Sequence, residues 1–568
     1  MRIPKDATRD LWLFGLIAAA AFFPFLGAAP LFDWDEINFA ESAREMMATG
    51  NYFRVQVNYE PFWEKPPLFF WLQVLAMRLF GVGEYAARFP NALIGVATVL
   101  ALYLEGRHWR DRSFGRLLAM LYLATFLPVI YFKSGIIDPV FNFFIFLGIM
   151  QVLRHDQQWQ TDPAAARADN APWAAGFWIG LATLTKGPVA LLVAMLTYSI
   201  YKAIWGRFRL PWWGVARFFL AWMILVLGWY GLETVVHGPW FIEQFIAYQV
   251  ELFSKDVAGH AQPFYYHLLV FLPGCFPMSA FVFRAMAEKP AAGKDQALHR
   301  FMLLWFWVVM VLFSVVRTKI VHYGSLLYFP AVFLAGMYLH RLIRERDRLR
   351  WDAWALLGLG LLVWGLIPSL LNWVTAHREA LAARLSDPLA AASLRVEVAW
   401  TGWEWLIGAA FLLGGLWGLR LLAQRRYVPF LWLQLVLTLL FVNAQYRITL
   451  PKVAQHTQGA PLEFFSGLAD QPAYVLTLGY KSYLPYFYAR VRPGGDAQAA
   501  DKDWLIQGDP DRPVYLSVPA HKLNPALRSR IQAFERLYEA GGFVFFRRPA
   551  QRVNRAGRET PGLPLGFK

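Results

Sequence analysis

Pro67-Leu68-Phe69-Phe70-Trp71-Leu72-Gln73-Val74-Leu75-Ala76-Met77-Arg78-Leu79-Phe80-Gly81-Val82 is apolar enough to be counted as a membrane crossing, and counting it reverses the orientation of everything that follows. Other apolar stretches of bilayer length lie at 11–32, 88–105, 117–133, 139–153, 173–186, 188–205, 213–232, 266–285, 300–317, 322–343, 352–374, 403–423 and 427–446, about thirteen crossings in all. Charge decides the parity. With 67–82 lying along the surface or re-entering, the loops on the N-terminal side carry 24 Lys and Arg, against 11 in the longer loops opposite. Excess Lys and Arg mark the cytoplasmic side. The N-terminus is therefore expected inside, with loops 31–87 and 233–265 and the chain after Tyr446 outside. The basic start at Arg2, Lys5 and Arg9 precedes a run too long for a signal-peptide core, which predicts a retained first helix.

Composition agrees with a membrane chain. Of 568 residues, 57% are hydrophobic and only 17% charged, which excludes a string of soluble domains and excludes disorder for the bulk. A single cysteine, Cys275, excludes an intramolecular disulfide framework and a cysteine-built zinc or iron-sulfur site. The net charge of +16 fits Lys and Arg flanking spans and meeting anionic lipid better than it fits nucleic-acid binding. From Arg447 onward the chain turns polar, with Pro and Gly. Short runs such as Tyr474 to Leu478, Val514 to Val518 and Phe543 to Phe546 read as strands, with helix-like stretches such as Pro525 to Phe534 between them. The expected organisation is a polytopic all-α membrane domain over 1–446, with its chemistry in the outer loop 31–87. A small α/β domain follows over 447–568, with a disordered tail after about Arg552.

That loop opens Asp33-Trp34-Asp35-Glu36-Ile37-Asn38-Phe39, and the spacing of Phe39, Ala43, Met46, Met47 and Gly50 predicts an amphipathic helix, flat on the outer surface and closed by glycine. A capping box with Asp33 as N-cap and Glu36 three positions inside would account for two of the acids. Asp35 is left over, and a carboxylate there could take a proton from an acceptor hydroxyl or phosphate. Further on, Glu64-Lys65-Pro66-Pro67 places an acid and a base before a helix start with Pro at its first turn. Other expected outer turns carry ionisable residues beside apolar spans: Lys133 and Asp138, Lys186, and Lys319 with His322 and Tyr323. Charges at such depth are costly and usually functional. On the charge-derived topology all of them share one side and can converge. Cations would hold a phosphate leaving group while a carboxylate activates the acceptor. Such a leaving group needs no general acid, unlike glycoside hydrolysis with its second, protonated carboxyl.

The Asp35-Glu36 pair, the Glu64-Lys65-Pro66-Pro67-Leu68 string, the Asp138-Pro139 turn and the Thr185-Lys186-Gly187-Pro188 turn, in that order, resemble a known family. The chain is similar to the GT-C membrane glycosyltransferases of the aminoarabinose transferase and protein O-mannosyltransferase group, and most of all to the bacterial lipid A aminoarabinose transferases. The resemblance rests on residues 31–190, with weaker support through Lys319 and Tyr323. It implies the GT-C fold with thirteen spans and a periplasmic C-terminal domain. It also implies inverting transfer of a monosaccharide from a polyprenyl-phosphate donor, such as an undecaprenyl phosphate sugar, to lipid A, another surface glycan or a protein at the outer face of the inner membrane.

By motif position, Asp35 resembles the base, with Glu36 beside it, and Asp138 a further active-site acid. Lys65 and Tyr323 resemble donor-phosphate contacts, and Lys186 lies in a matching turn. The resemblance places Arg two residues after the acidic pair, where Asn38 stands here, so that contact must come from elsewhere, with Arg44 and Lys319 as candidates. Glu64 resembles a carboxylate associated with a divalent metal such as zinc, with His260 as the first choice of partner, ahead of His237 and His267. The reading from another class is a transporter or flippase of an anionic lipid or lipid-linked sugar. That reading expects matching halves, and the sequence has no internal duplication.

Overall fold

The computed structural model of the chain describes residues 4–205, 211–254, 262–290, 292–494, 496 and 498–551. The expected disordered tail and His260 lie outside the described residues. The chain divides into two compact units. The first comprises 1–57, 61–377 and 399–454, and the second 58–60, 378–398 and 455–568.

The first unit is helical and reads as membrane-spanning. Among the described residues, seven helices are long and apolar enough to cross a bilayer: Glu84–Trp109, Trp212–His237, Lys294–Val315, Val321–Glu345, Trp351–Ala376, Trp405–Ala423 and Tyr427–Ser466. An eighth is possible if Tyr266–Gly274 and Ser279–Met286, bent by 117°, form one broken span. The stretch 139–153 lies in the 24-residue helix Asp138–Thr161, while others fold as shorter helices, among them Ala171–Lys186 and Val189–Trp205 of 16 and 17 residues. The first apolar run is the 18-residue helix Lys5–Phe22. The ambiguous 67–82 stretch forms Leu68–Phe80, 13 residues long. At 1.5 Å per residue that is about 20 Å, short of a ~30 Å hydrocarbon core.

Close packing and buried ion pairs tie these helices together. Glu84–Trp109 and Arg112–Leu123 approach at Gly115, where a Cβ would come within 2.4 Å of the Tyr103 carbonyl. Asp10, buried on the first helix, accepts from Tyr103 (2.8 Å), Arg112 (2.7 Å) and Arg116 (2.6 Å). Lys133 is fully buried and donates to the carbonyls of Ala21 and Phe22, each at 3.4 Å, where the first helix ends, and to Asn443 Oδ1 at 3.0 Å.

The second unit contains a four-stranded sheet in the spatial order Tyr474–Thr477, Val514–Pro519, Phe543–Arg548, Glu535–Ala540. The first pair is parallel and the other two are antiparallel. Leu476, Val514, Leu516, Val544 and Phe546 form part of its core, with Leu505 and Ile506 from the short helix Lys502–Gln507. The helix expected over 525–534 is one short turn, Pro525–Arg530.

Candidate active site

Three backbone junctions place the charged side chains. Asp35 is the first residue of the helix Asp35–Thr49, and Asp138 the first of Asp138–Thr161, with Pro139 following it. Carboxylates at helix N-termini are favoured by the backbone dipole, as cations are at C-termini. Lys186 occupies such a C-terminus, the last residue of Ala171–Lys186. The chain then leaves through Gly187 at φ 113°, where a Cβ would strike the ring of Phe245 at 2.5 Å.

The loop helix differs from the sequence expectation in two ways. It starts at Asp35 with Trp34 as N-cap and no side-chain cap, so Asp33 does not form the capping box. Glu36 instead reaches back to the Phe32 N–H (3.0 Å) while Arg88 grips both its oxygens at 2.9 and 2.7 Å. Nor is the helix an amphipath lying flat, since Glu36 through Met46 are all buried. Its polar residues can be buried because they pair: Arg44 donates twice to Glu41, at 2.7 Å each. Gly50 closes the helix in the left-handed region, as expected.

Lys65 stands before the helix Leu68–Phe80, in which Pro67 takes the N-cap position instead of the first helical one. The surrounding loop is held by two indoles: Trp71 Nε1 donates to the Tyr52 carbonyl (2.6 Å) and Trp229 Nε1 to that of Phe53 (3.1 Å).

These junctions converge on one cavity of about 580 Å³. Asp35, Glu36, Glu64, Lys65, Asp138, Lys186 and Tyr323 all line it, as do Asp33, Trp34, Tyr248 and His322. Lys186 Nζ donates to Asp138 Oδ1 at 2.6 Å and lies 4.8 Å from the centre of the Tyr323 ring. His322 Nε2 stands 3.3 Å from Asp35 Oδ2 and 3.7 Å from Asp138 Oδ2. Lys65 Nζ is 3.8 Å from Glu64 and 5.5 Å from the Tyr248 ring centre.

The charges tune one another. Burial pushes the Asp35 carboxyl up, but the His322 contact and the positive charge of His322, Lys65 and Lys186 outweigh it and hold the group below its ordinary value. Burial pulls the Lys65 ammonium below its ordinary value, although the carboxylates of Glu64, Asp35 and Asp138 oppose the shift. Glu36 is held low against its burial by Arg88, which makes it a strut of the cavity wall.

A second cavity of about 410 Å³ adjoins the first and shares Lys65, Asp138, Lys186 and Tyr323 with it. The rest of its wall is mostly apolar, including Phe141, Leu192, Phe245, Leu312 and Phe313.

Two sequence candidates stand apart from both cavities. Arg44 is committed to Glu41, and Lys319 is buried and donates to the Gln262 carbonyl at 2.9 Å. Among the described residues no group of three His, Cys, Asp or Glu is placed to hold a metal. Glu64 has an ammonium as its neighbour, so it does not by itself make a metal site.

The fold matches solved proteins over nearly the whole chain. A crystal structure of ArnT from Cupriavidus metallidurans bound to undecaprenyl phosphate superposes with a TM-score of 0.72 at 20% identity, covering 97% of this chain and 100% of that one. The fold is of the GT-C type. The apo oligosaccharyltransferase of Archaeoglobus fulgidus is a more distant neighbour, with a TM-score of 0.55 at 11% identity over 96% of this chain and 74% of the other. Residues 64–229 match the family model for dolichyl-phosphate-mannose-protein mannosyltransferase. Among curated proteins, an undecaprenyl phosphate-alpha-4-amino-4-deoxy-L-arabinose arabinosyl transferase of Proteus mirabilis is 25% identical over 57% of this chain and 59% of its own length. One from Pseudomonas paraeruginosa is 27% identical over 62% and 64%. The chain thus spans less than two thirds of the length of these relatives.

Sequence reasoning missed Arg88 and Tyr248. Arg88 sits in an apolar helix with nothing local to say which acid it meets. Tyr248 is one aromatic among many on Trp240–Ser254. His322 was legible as an ionisable neighbour of Tyr323, but its position between two carboxylates was not.

Proposed function

We propose that the chain transfers a monosaccharide, with inversion, from a polyprenyl-phosphate donor such as an undecaprenyl phosphate sugar to lipid A, a surface glycan or a protein. The observation that carries the reading is the pair of cavities meeting at Lys65, Asp138, Lys186 and Tyr323. An isoprenoid tail suits the apolar cavity. Its phosphate then rests at the junction, where two ammonium groups neutralise the charge that builds on the departing oxygen. The sugar projects into the charged cavity, where Asp35, held ionised, takes a proton from the acceptor.

The reading places this work at the outer, periplasmic face of the inner membrane, with the N-terminus inside. The positive-inside count and the short Leu68–Phe80 helix support that orientation. It also adopts about thirteen crossings, adding the shorter apolar helices to those long enough to span alone. A divalent ion at Glu64, with His260 as its partner, is part of the proposal, but no step of the transfer is routed through it.

The deciding experiment incubates purified protein with a panel of polyprenyl-phosphate sugars and follows lipid, glycan and protein acceptors by mass spectrometry. Sugar-modified acceptor together with free polyprenyl phosphate supports the reading. Intact donor translocated across a vesicle without cleavage would replace it with transport.

A further inference from the structure

Asp138 is not the only side chain that its helix turns toward the segment carrying His322. Asn142 follows it by four residues on Asp138–Thr161, one helical turn further along the same face. Opposite runs the 3-10 segment Val321–Leu327, on which His322 and Ser325, three residues apart, also share a face. An α-helix rises about 6 Å in four residues, and a 3-10 helix about 6 Å in three. The two spacings coincide, so the side chains meet as two rungs in register. His322 Nε2 faces Asp138 Oδ2 at 3.7 Å, and Asn142 Nδ2 donates to Ser325 Oγ at 2.7 Å.

The second rung is tied back to the first. Ser325 Oγ directs its single proton to the His322 carbonyl at 2.5 Å. Asn142 and Ser325 are 5% and 4% exposed, and they share a small cleft with Phe132, Tyr328 and Phe329. In such surroundings a hydrogen bond offsets little more than the desolvation of its two partners, so stability alone does not call for it. What a buried polar pair does well is fix the register of the elements that carry it.

Register matters at this turn because of what stands on it. His322 reaches Asp35 Oδ2 at 3.3 Å as well as Asp138. A 3-10 segment has poorer hydrogen-bond geometry than an α-helix and is the less rigid of the two partners. A slip of one residue would carry His322 away from both carboxylates. Ser325 stands outside the lining of both large cavities, so it can act on the reactants only through the turn, whereas Asn142 also lines the apolar cavity.

Resting on the glycosyl-transfer reading, we propose that Asn142 and Ser325 are positioning residues that lock the His322 turn onto the helix beginning at Asp138, and so hold His322 against Asp35 while Asp35 acts as base. The hydroxyl of Ser325 acts on the backbone of His322, and the imidazole in turn aims the Asp35 carboxylate.

The test uses the full chain in lipid nanodiscs, a panel of undecaprenyl phosphate sugars as donors, and lipid A and a serine- and threonine-containing peptide as acceptors. Release of undecaprenyl phosphate gives kcat and KM, and binding of undecaprenyl phosphate alone gives donor affinity. Ser325→Ala should lower kcat by about tenfold, a modest penalty for a misaimed base, while affinity for undecaprenyl phosphate changes by less than about twofold. Ser325→Thr keeps the hydroxyl and should restore most of the loss. In a His322→Gln background, Ser325→Ala should lower kcat by less than about twofold further, because the group it positions is gone. Asn142→Ala breaks the same rung from the other side and should show the same non-additivity, which decides the matter if Ser325→Ala does not fold. Wild-type kcat in both single variants, or losses that multiply in the double variants, overturn the positioning role while leaving glycosyl transfer intact. No donor cleaved by the wild-type chain overturns the transfer reading, and the positioning role falls with it.

Discussion

Lys186 and Asp138, 48 positions apart in sequence, meet at 2.6 Å where the end of one helix faces the start of another. Asp138 Oδ2, the oxygen that Lys186 leaves free, is buried without a hydrogen bond and faces His322 at 3.7 Å. The pair lines both cavities. Lys186→Met should lower kcat/KM by about 10²-fold or more, because it removes one of the two groups proposed to stabilise the departing phosphate. Steady-state kinetics with purified donor provide the check, and a change under threefold would count against the assignment.

Asp35→Asn keeps the shape of the side chain and removes its basicity. Transfer should fall by about 10²- to 10⁴-fold, the range for a lost general base, while donor binding persists. Wild-type turnover in this variant would refute the role of Asp35.

The position of Asp35 also sets a pH dependence. Its carboxyl lies below its ordinary value of 3.8 because His322, Lys65 and Lys186 outweigh its burial. A carboxyl depressed on folding adds stability that is complete above the unfolded value, about pH 4, and is lost as pH falls through the folded one. The proposed role of Asp35 as base needs the ionised form, so activity should follow the same direction. His322→Gln removes the largest lowering influence, so the acid limb of the kcat/KM profile should move to higher pH. A limb that stays in place would show that His322 does not act on Asp35.

Arg88 and Glu36 make a structural prediction. Both are buried and doubly hydrogen-bonded. Arg88→Met strands a buried carboxylate and should cost about 3–5 kcal/mol, since breaking one side of a buried pair leaves the other uncompensated. The double variant Arg88→Met with Glu36→Gln should recover part of the loss. Thermal unfolding in detergent measures both.

Lys133 was singled out in the sequence beside Asp138, yet its ammonium faces backbone carbonyls at the end of the first helix. Lys133→Met should therefore destabilise the protein by about 1–3 kcal/mol through unsatisfied carbonyls. In the folded fraction KM for the donor should be unaltered. A selective rise in KM would return Lys133 to the site.

Much of the cavity lining was legible because its residues lie at sharp boundaries between polar turns and apolar spans, where Asp35, Lys65, Asp138 and Lys186 stand out against their surroundings. Arg44 and Lys319 stand out equally, and charge alone could not say that Glu41 and the Gln262 carbonyl hold them. Pairing is a property of packing, and it is absent from local sequence. The strand Glu535–Ala540 escaped for a related reason. Its Glu-Arg-Leu-Tyr-Glu-Ala pattern has few apolar residues, and its place at the sheet edge lets it remain polar. Hydropathy located the apolar segments, while helix length separates those that can cross alone from shorter ones such as Val189–Trp205.

Because the oily chamber and the charged one open onto the same four side chains without overlapping elsewhere, the two reactants have no reason to take turns. Both can be resident before any bond changes. The kinetic signature would be a ternary complex, with double-reciprocal plots that intersect and no sugar stored on the protein between turnovers.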